Sequence, residues 1–450
     1  MKVSLTIAWI WFSLSVLLFF TGCAPKQPGM VRDIQTFPQD ARHYIDDEPG
    51  RLLINAEKQA ELYQDFLERF YMPWNRAEPK FTADEVFWGL DLYGARDIYG
   101  ENNLPFASGW IESMERKSDT KGYPSVHIPA VSVTHASMRV LPTHRPVFYS
   151  PDRPGEGFPF DYMQNTLLPA GTPVLVTHES RDGEWALAET DFAAGWIRWQ
   201  DLAMVNDKFL QNYQDKPLIG FVSDDIPLTT EDGQFVASGR VGMILPLSQD
   251  QKENERWQVL VPVRDHLGRA EIVAATAAET DAHKIPFSPY QPVFADILNS
   301  LMGQPYGWGG LYENRDCSAL TRDVLGGFGI FLPRNSKAQA RAGHYISLEG
   351  LSTARKKELI AQQGRPWLTI LYMPGHVGLY IGQDAETGEP LMCHSMWGLR
   401  TWRPFREDGR WVIGRTVITT LEPGREMFRL ARPRGLLVER ITGMVLTTGF

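Results

Sequence analysis

Residues 304–330 read QPYGWGGLYENRDCSALTRDVLGGFGI. A glycine-rich aromatic loop runs into Asp316-Cys317-Ser318, and the apolar residues Leu320, Val324, Leu325 and Phe328 then recur at helical spacing, with Gly329 as a break. Cys317 thus falls at the start of a helix, where unpaired backbone N–H groups and the helix dipole favour a thiolate. Thiols in such settings, beside a basic partner, have pKa values lowered to ~3.5–7.5. A buried inert cysteine is the alternative reading.

The histidines decide between these readings. PGHVGLYIG (374–382) opens an alternating strand at His376, and PLMCHSMWGL (390–399) carries His394 on the next. A nucleophilic cysteine needs a base, and the base needs a third group that holds its tautomer and plane. Period-two alternation separates Cys393 from His394, so Cys393 is assigned to core packing. A zinc site of Cys317, His376 and His394 is the competing chemistry; no nearby fourth ligand supports it. No cofactor is implied.

The rest of the chain frames this constellation. At 450 residues, with 43% hydrophobic and 22% charged residues, it holds several domains. A net charge of −9 without a basic block argues against nucleic acid as a partner. Three cysteines make no disulfide framework. Residues 1–22 read as a secretory signal, and Thr21-Gly22-Cys23 resembles a lipoprotein lipobox with Cys23 as the acylated residue; an uncleaved signal anchor is the alternative. Residues 23–124 read as a polar tether, to about residue 50, followed by a helical segment. One helix is expected from about residue 53 to 70 and broken by MPWNRAEP; another is capped by Thr82. Short alternating runs punctuated by turn residues suggest two small all-β barrels, 125–210 and 211–285, with Trp185, Trp196 and Trp257 as core residues. Asp161 is expected in a solvated loop. Residues 286–450, helices first and antiparallel strands after, form an α+β unit, so the whole chain is α+β and multidomain.

GQPYGWGG, RDCSAL, GIFLPRNSKAQ, PGHVGLYIG and MCHS, in that order, resemble the NlpC-type family of papain-like cell-wall cysteine peptidases over roughly 290–420. The first barrel, through DGEWALAETDFAAGWIRWQDL, resembles a bacterial SH3-like domain, and FYMPWN resembles the N-terminal stabilising segment of that family branch. The resemblance implies a nucleophile at Cys317, a general base at His376 and an orienting residue at His394. Tyr306 would help hold the oxyanion. Trp308, Asp316 and Ser318 match groove-lining positions, although Asp316 reads equally as a helix cap. Asn335 stands where the branch has an aspartate that reads a free amino terminus, with Ser336 following. The implied activity is cleavage of peptidoglycan stem peptides or muropeptides between D-glutamate and the next L-diamino acid by a monomer, exported and held on a membrane by its lipid. An inactive wall-binding scaffold and a papain-like acyltransferase are the rivals.

Overall fold

The computed structural model describes residues 31–153, 155–249, 255–404 and 408–449. The signal, the lipobox and Cys23 lie outside the described residues. Among those described, no helix is long and apolar enough to cross a membrane.

The C-terminal unit is a six-stranded antiparallel sheet ordered His344–Ser347, Gly443–Leu446, Thr369–Met373, His376–Gln383, Pro390–Thr401, Gly409–Thr420. Helices Gln291–Leu301 and Cys317–Gly326 cover one face, burying Phe294, Leu298, Leu320 and Val324 against Val377, Leu379 and Ile418. The other face, with Leu371, Tyr380, Met392 and Val417, packs under Ile360, Leu437 and Ile441. Burial on both faces explains why these strands read as nearly continuous apolar runs.

Upstream stand two β domains. Residues 128–204 form a seven-stranded sheet, and residues 218–284 form paired four- and three-stranded sheets. Trp185 and Trp196 are core residues of the first, and Trp257 of the second. Asp161 departs from expectation. It is buried, takes the Arg139 guanidinium at 2.6 Å, and accepts the Val147 and Met163 N–H groups. A buried, fully bonded carboxylate of this kind holds structure.

Two N-terminal expectations are also corrected. The first long helix spans Ala56–Asn75 and runs through Pro73. Tertiary anchoring overrides the proline: Trp74 is buried and its indole N–H donates to Ala130 O of the first β domain at 2.6 Å. Residues 31–45, read as tether, are docked on the C-terminal sheet instead. Gln39 exchanges hydrogen bonds with both Ile418 N–H and Ile418 O, and Asp33 accepts from the N–H and hydroxyl of Thr420. Their polar residues satisfy the outer edge of strand Gly409–Thr420, which would otherwise be an unpaired sheet edge. Thr82 caps helix Ala83–Gly94 in a capping box with Glu85, as expected.

Candidate active site

Asp316 is the N-cap of the Cys317 helix: its carboxylate accepts the Ala319 N–H at 2.8 Å. The same carboxylate accepts Gly309 N–H and receives two donors from Arg334, at 2.6 and 3.0 Å. Arg334 also donates to Ser318 Oγ and to Thr166 Oγ1 of the first β domain. Ser318 is buried within this network rather than open to a groove. Arg315, 1% exposed, plays a matching part toward the second β domain, with two bonds to Asp224, one to Asp323 and one to Val241 O. The two arginines on either side of the cysteine thus bolt the helix start to both β domains. Sequence reading missed them because nothing local distinguishes a buried arginine from a solvated one.

The glycine-rich loop is shaped by the same packing. Gly309 and Gly310 have φ of 60° and 87°, and a Cβ on either would strike Gln164 O or the Leu167 side chain. Only glycine combines that backbone conformation with so close an approach. The loop carries Tyr306 and Trp308 to the site. Phe160, from the first β domain, lies 6.2 Å from the Tyr306 ring, 5.2 Å from Trp308 and 5.6 Å from Trp397. Phe160 and Trp397 are further wall residues with no sequence signal beyond being aromatic. Burial and the neighbouring Cys317 and Asp316 push the Tyr306 phenol well above its ordinary value, so it keeps its proton and remains a donor. Asn335 is exposed and caps the short helix Ser336–Gln339 through its carbonyl oxygen to Ala338 N–H; Ser336 follows it, half-buried.

Cys317 is 7% exposed. Its thiol takes the backbone N–H of Val377, so the helix start meets the sheet one residue from His376. His376 begins its strand, and its Nε2 lies 2.8 Å from His394 Nδ1 on the neighbouring strand. His376 Nδ1 is left to face outward from that pair. Gly378 makes room for it, since a Cβ there would press on Met392 and on Cβ of His394. Alternation separates Cys393 from His394, and Cys393 lies in the helix-facing core. Among the described residues, no group of three or more His, Cys, Asp or Glu side chains could hold a metal.

The electrostatics correct one expectation. Burial, and then the charge of Asp316, push the Cys317 thiol up to about 12, outweighing the Val377 and Ser318 N–H groups and Arg334. Desolvation, with the Arg440 guanidinium adding to it, brings His376 down to about 3; His394 is lowered well below its usual range by burial and by His376. Burial therefore favours a neutral thiol and a neutral imidazole over an ion pair. Alkylation of Cys317 by iodoacetamide should therefore accelerate ~10-fold per pH unit from pH 5 to 9, because the thiolate is the reacting form. A pH-independent plateau across that range would establish a preformed ion pair.

Comparison with known proteins agrees with this architecture. Residues 11–123 match the model for the NLPC_P60 stabilising domain, residues 146–198 an SH3 domain of SH3b1 type, and residues 206–252 an SH3 domain of SH3b2 type. Residues 303–397, which carry Cys317, His376 and His394, match the NlpC/P60 family. The C-terminal unit is an NlpC/P60 domain. The structure of an NlpC/P60 endopeptidase from Photobacterium damselae subsp. piscicida is similar over 92% of this chain and 98% of that one, with a TM-score of 0.82 and 26% identity. A probable endopeptidase of Corynebacterium glutamicum is 30% identical over 135 residues, covering 28% of this chain and 57% of that protein. The peptidoglycan endopeptidase RipB of Mycobacterium tuberculosis is 29% identical over 164 residues, covering 32% of this chain and 61% of RipB. The chain thus spans about three-fifths of the length of these curated relatives. The NlpC/P60 domain here is preceded by the two SH3-like domains and the helical segment, all packed against it.

Proposed function

We propose that this NlpC/P60 chain is an extracytoplasmic peptidoglycan endopeptidase that cleaves stem peptides or muropeptides at the γ-D-glutamyl–L-diamino acid bond. The observation that carries the reading is a helix-capped thiol that takes the Val377 N–H, one residue along the strand from the 2.8 Å His376–His394 pair, with the Tyr306 phenol as a neighbouring donor. Cys317 Sγ attacks the γ-carbonyl carbon while its proton passes to His376 Nδ1. Because the resting thiol is neutral, proton transfer and C–S bond formation go together. The Cys317 N–H and the Tyr306 hydroxyl serve the developing oxyanion. His376 then gives its proton to the departing amine, the C–N bond breaks, and a thioester remains. Water, deprotonated by His376, attacks the thioester; the γ-carboxylate leaves and the thiol recovers its proton.

In this reading Trp308 and Asn335–Ser336 would meet the substrate, with Asp316 and Ser318 supporting the start of the Cys317 helix from within. An exported protein held by a lipid on Cys23 fits a wall substrate, as does the similarity to the peptidoglycan endopeptidase RipB. Incubation with defined muropeptides and mass spectrometry of the products tests the reading. The expected products are one fragment ending in D-glutamate and one beginning with the diamino acid; cleavage at any other bond, or transfer to an added amine in place of hydrolysis, refutes the assigned bond or the hydrolytic outcome.

A further inference from the structure

His394 Nε2 lies 3.1 Å from Thr419 Oγ1, and Thr419 Oγ1 in turn donates to Thr420 O at 2.8 Å. A hydroxyl has one proton to give. With that proton committed to the carbonyl, Thr419 Oγ1 can only accept from His394, so His394 carries its proton on Nε2. Its Nδ1 is then an acceptor, and the 2.8 Å contact requires His376 to donate from Nε2. His376 Nδ1 is left with a free lone pair. From this chain of donors, we propose that Thr419 is a positioning residue that sets the tautomers of both histidines and so makes His376 Nδ1 a base. Reversing the Thr419 hydroxyl would reverse every bond in the series and leave a proton on His376 Nδ1, where it cannot take one from the thiol.

The surroundings hold Thr419 in that role. It is fully buried and lies on strand Gly409–Thr420, diagonal to His394 on the same face, since Met392 pairs with Thr419 and His394 with Val417. Gln39 fixes the strand backbone at Ile418 and Asp33 at Thr420, one residue to either side. The N-terminal segment, remote in sequence, therefore keeps the hydroxyl in register with the imidazole. No sequence motif points to Thr419, because its role exists only through two strand pairings.

The catalytic part of this inference rests on the proposed use of Cys317 and His376; the tautomer part does not. Thr419→Val keeps the shape and removes the hydroxyl, and Thr419→Ser restores it. In full-length protein carrying 15N-labelled histidine, NMR should report His394 protonated at Nε2 in the wild type and in Thr419→Val a shift toward Nδ1–H. With defined muropeptides, Thr419→Val should lose ~10²-fold in kcat with KM changed by less than ~2-fold, and Thr419→Ser should recover most of it. An unaltered His394 tautomer in Thr419→Val overturns the wiring, whatever the activity. An altered tautomer with wild-type kcat overturns the positioning role. Retained turnover in Cys317→Ala would instead count against the underlying mechanism, and the NMR result would still stand on its own.

Discussion

Cys317→Ala is expected to reduce muropeptide cleavage by ~10⁴-fold or more while leaving the protein folded. No second thiol can substitute. Cys393 is completely buried in the helix-facing core, and the only other cysteine, Cys23, lies at the far N-terminus. The substitution removes one sulfur atom from a site whose helix cap is the Asp316 carboxylate, not the cysteine, so the helix start survives. In the proposed mechanism, removing the thiol also removes the group whose proton His376 accepts, and water at that position would lack both the sulfur's nucleophilicity and its thioester intermediate. The measurement is the rate of diamino-acid fragment release by mass spectrometry, with a thermal melt to verify folding. Turnover within ~10-fold of wild type would refute Cys317 as the nucleophile.

The second large effect is on stability. Arg334→Met should destabilise the protein by about 3–5 kcal/mol, because it leaves the buried Asp316 carboxylate without its charged partner. This guanidinium donates four hydrogen bonds, two to Asp316, one to Ser318 and one to Thr166. Two of the acceptors belong to the start of the Cys317 helix and one to the first SH3-like domain, so the loss should loosen the domain contact as well as the cap. Asp316 can relieve its unpaired charge only by taking up a proton. Its carboxyl is held below the ordinary range by Arg334 together with the Ala319 and Gly309 N–H groups, against a strong opposing effect of burial. Adding Asp316→Asn to Arg334→Met should recover part of the loss, since the amide carries no charge to strand. Equilibrium denaturation of the two single variants and the double variant measures this coupling. A loss under ~1 kcal/mol in Arg334→Met would show that the pair is solvated in solution, as exposed salt bridges are.

These two effects show how differently the site and its support are written in the chain. The candidate residues Cys317, His376 and His394 are legible because their neighbours mark the elements that carry them: an apolar helical repeat after the cysteine, and a short apolar, strand-like run around each histidine. Strand and helix assignments follow from the same periodicity, as do the tryptophans of the β domains. Pro73 misled the reading, since local propensity stops a helix that Trp74 holds in place from a distance. The thiol's acidity misled it too. A helix N-terminus favours the thiolate, whereas burial, and then the adjacent Asp316 carboxylate, oppose it.

By itself, then, the sequence determined the order of the units, the helix that begins at Cys317 and the faces on which the histidines stand, because each of these depends on residues within a few positions of one another. Only the tertiary structure decided that Arg315 and Arg334 clamp the helix start to two β domains, that Phe160 closes the aromatic wall, and that Thr419 completes the imidazole series. Those relations join residues far apart in the chain, 168 positions in the case of Arg334 and Thr166. A hydrogen bond depends on a few tenths of an ångström and on which partner holds the proton, and neither is encoded in the spacing of residue types along a chain.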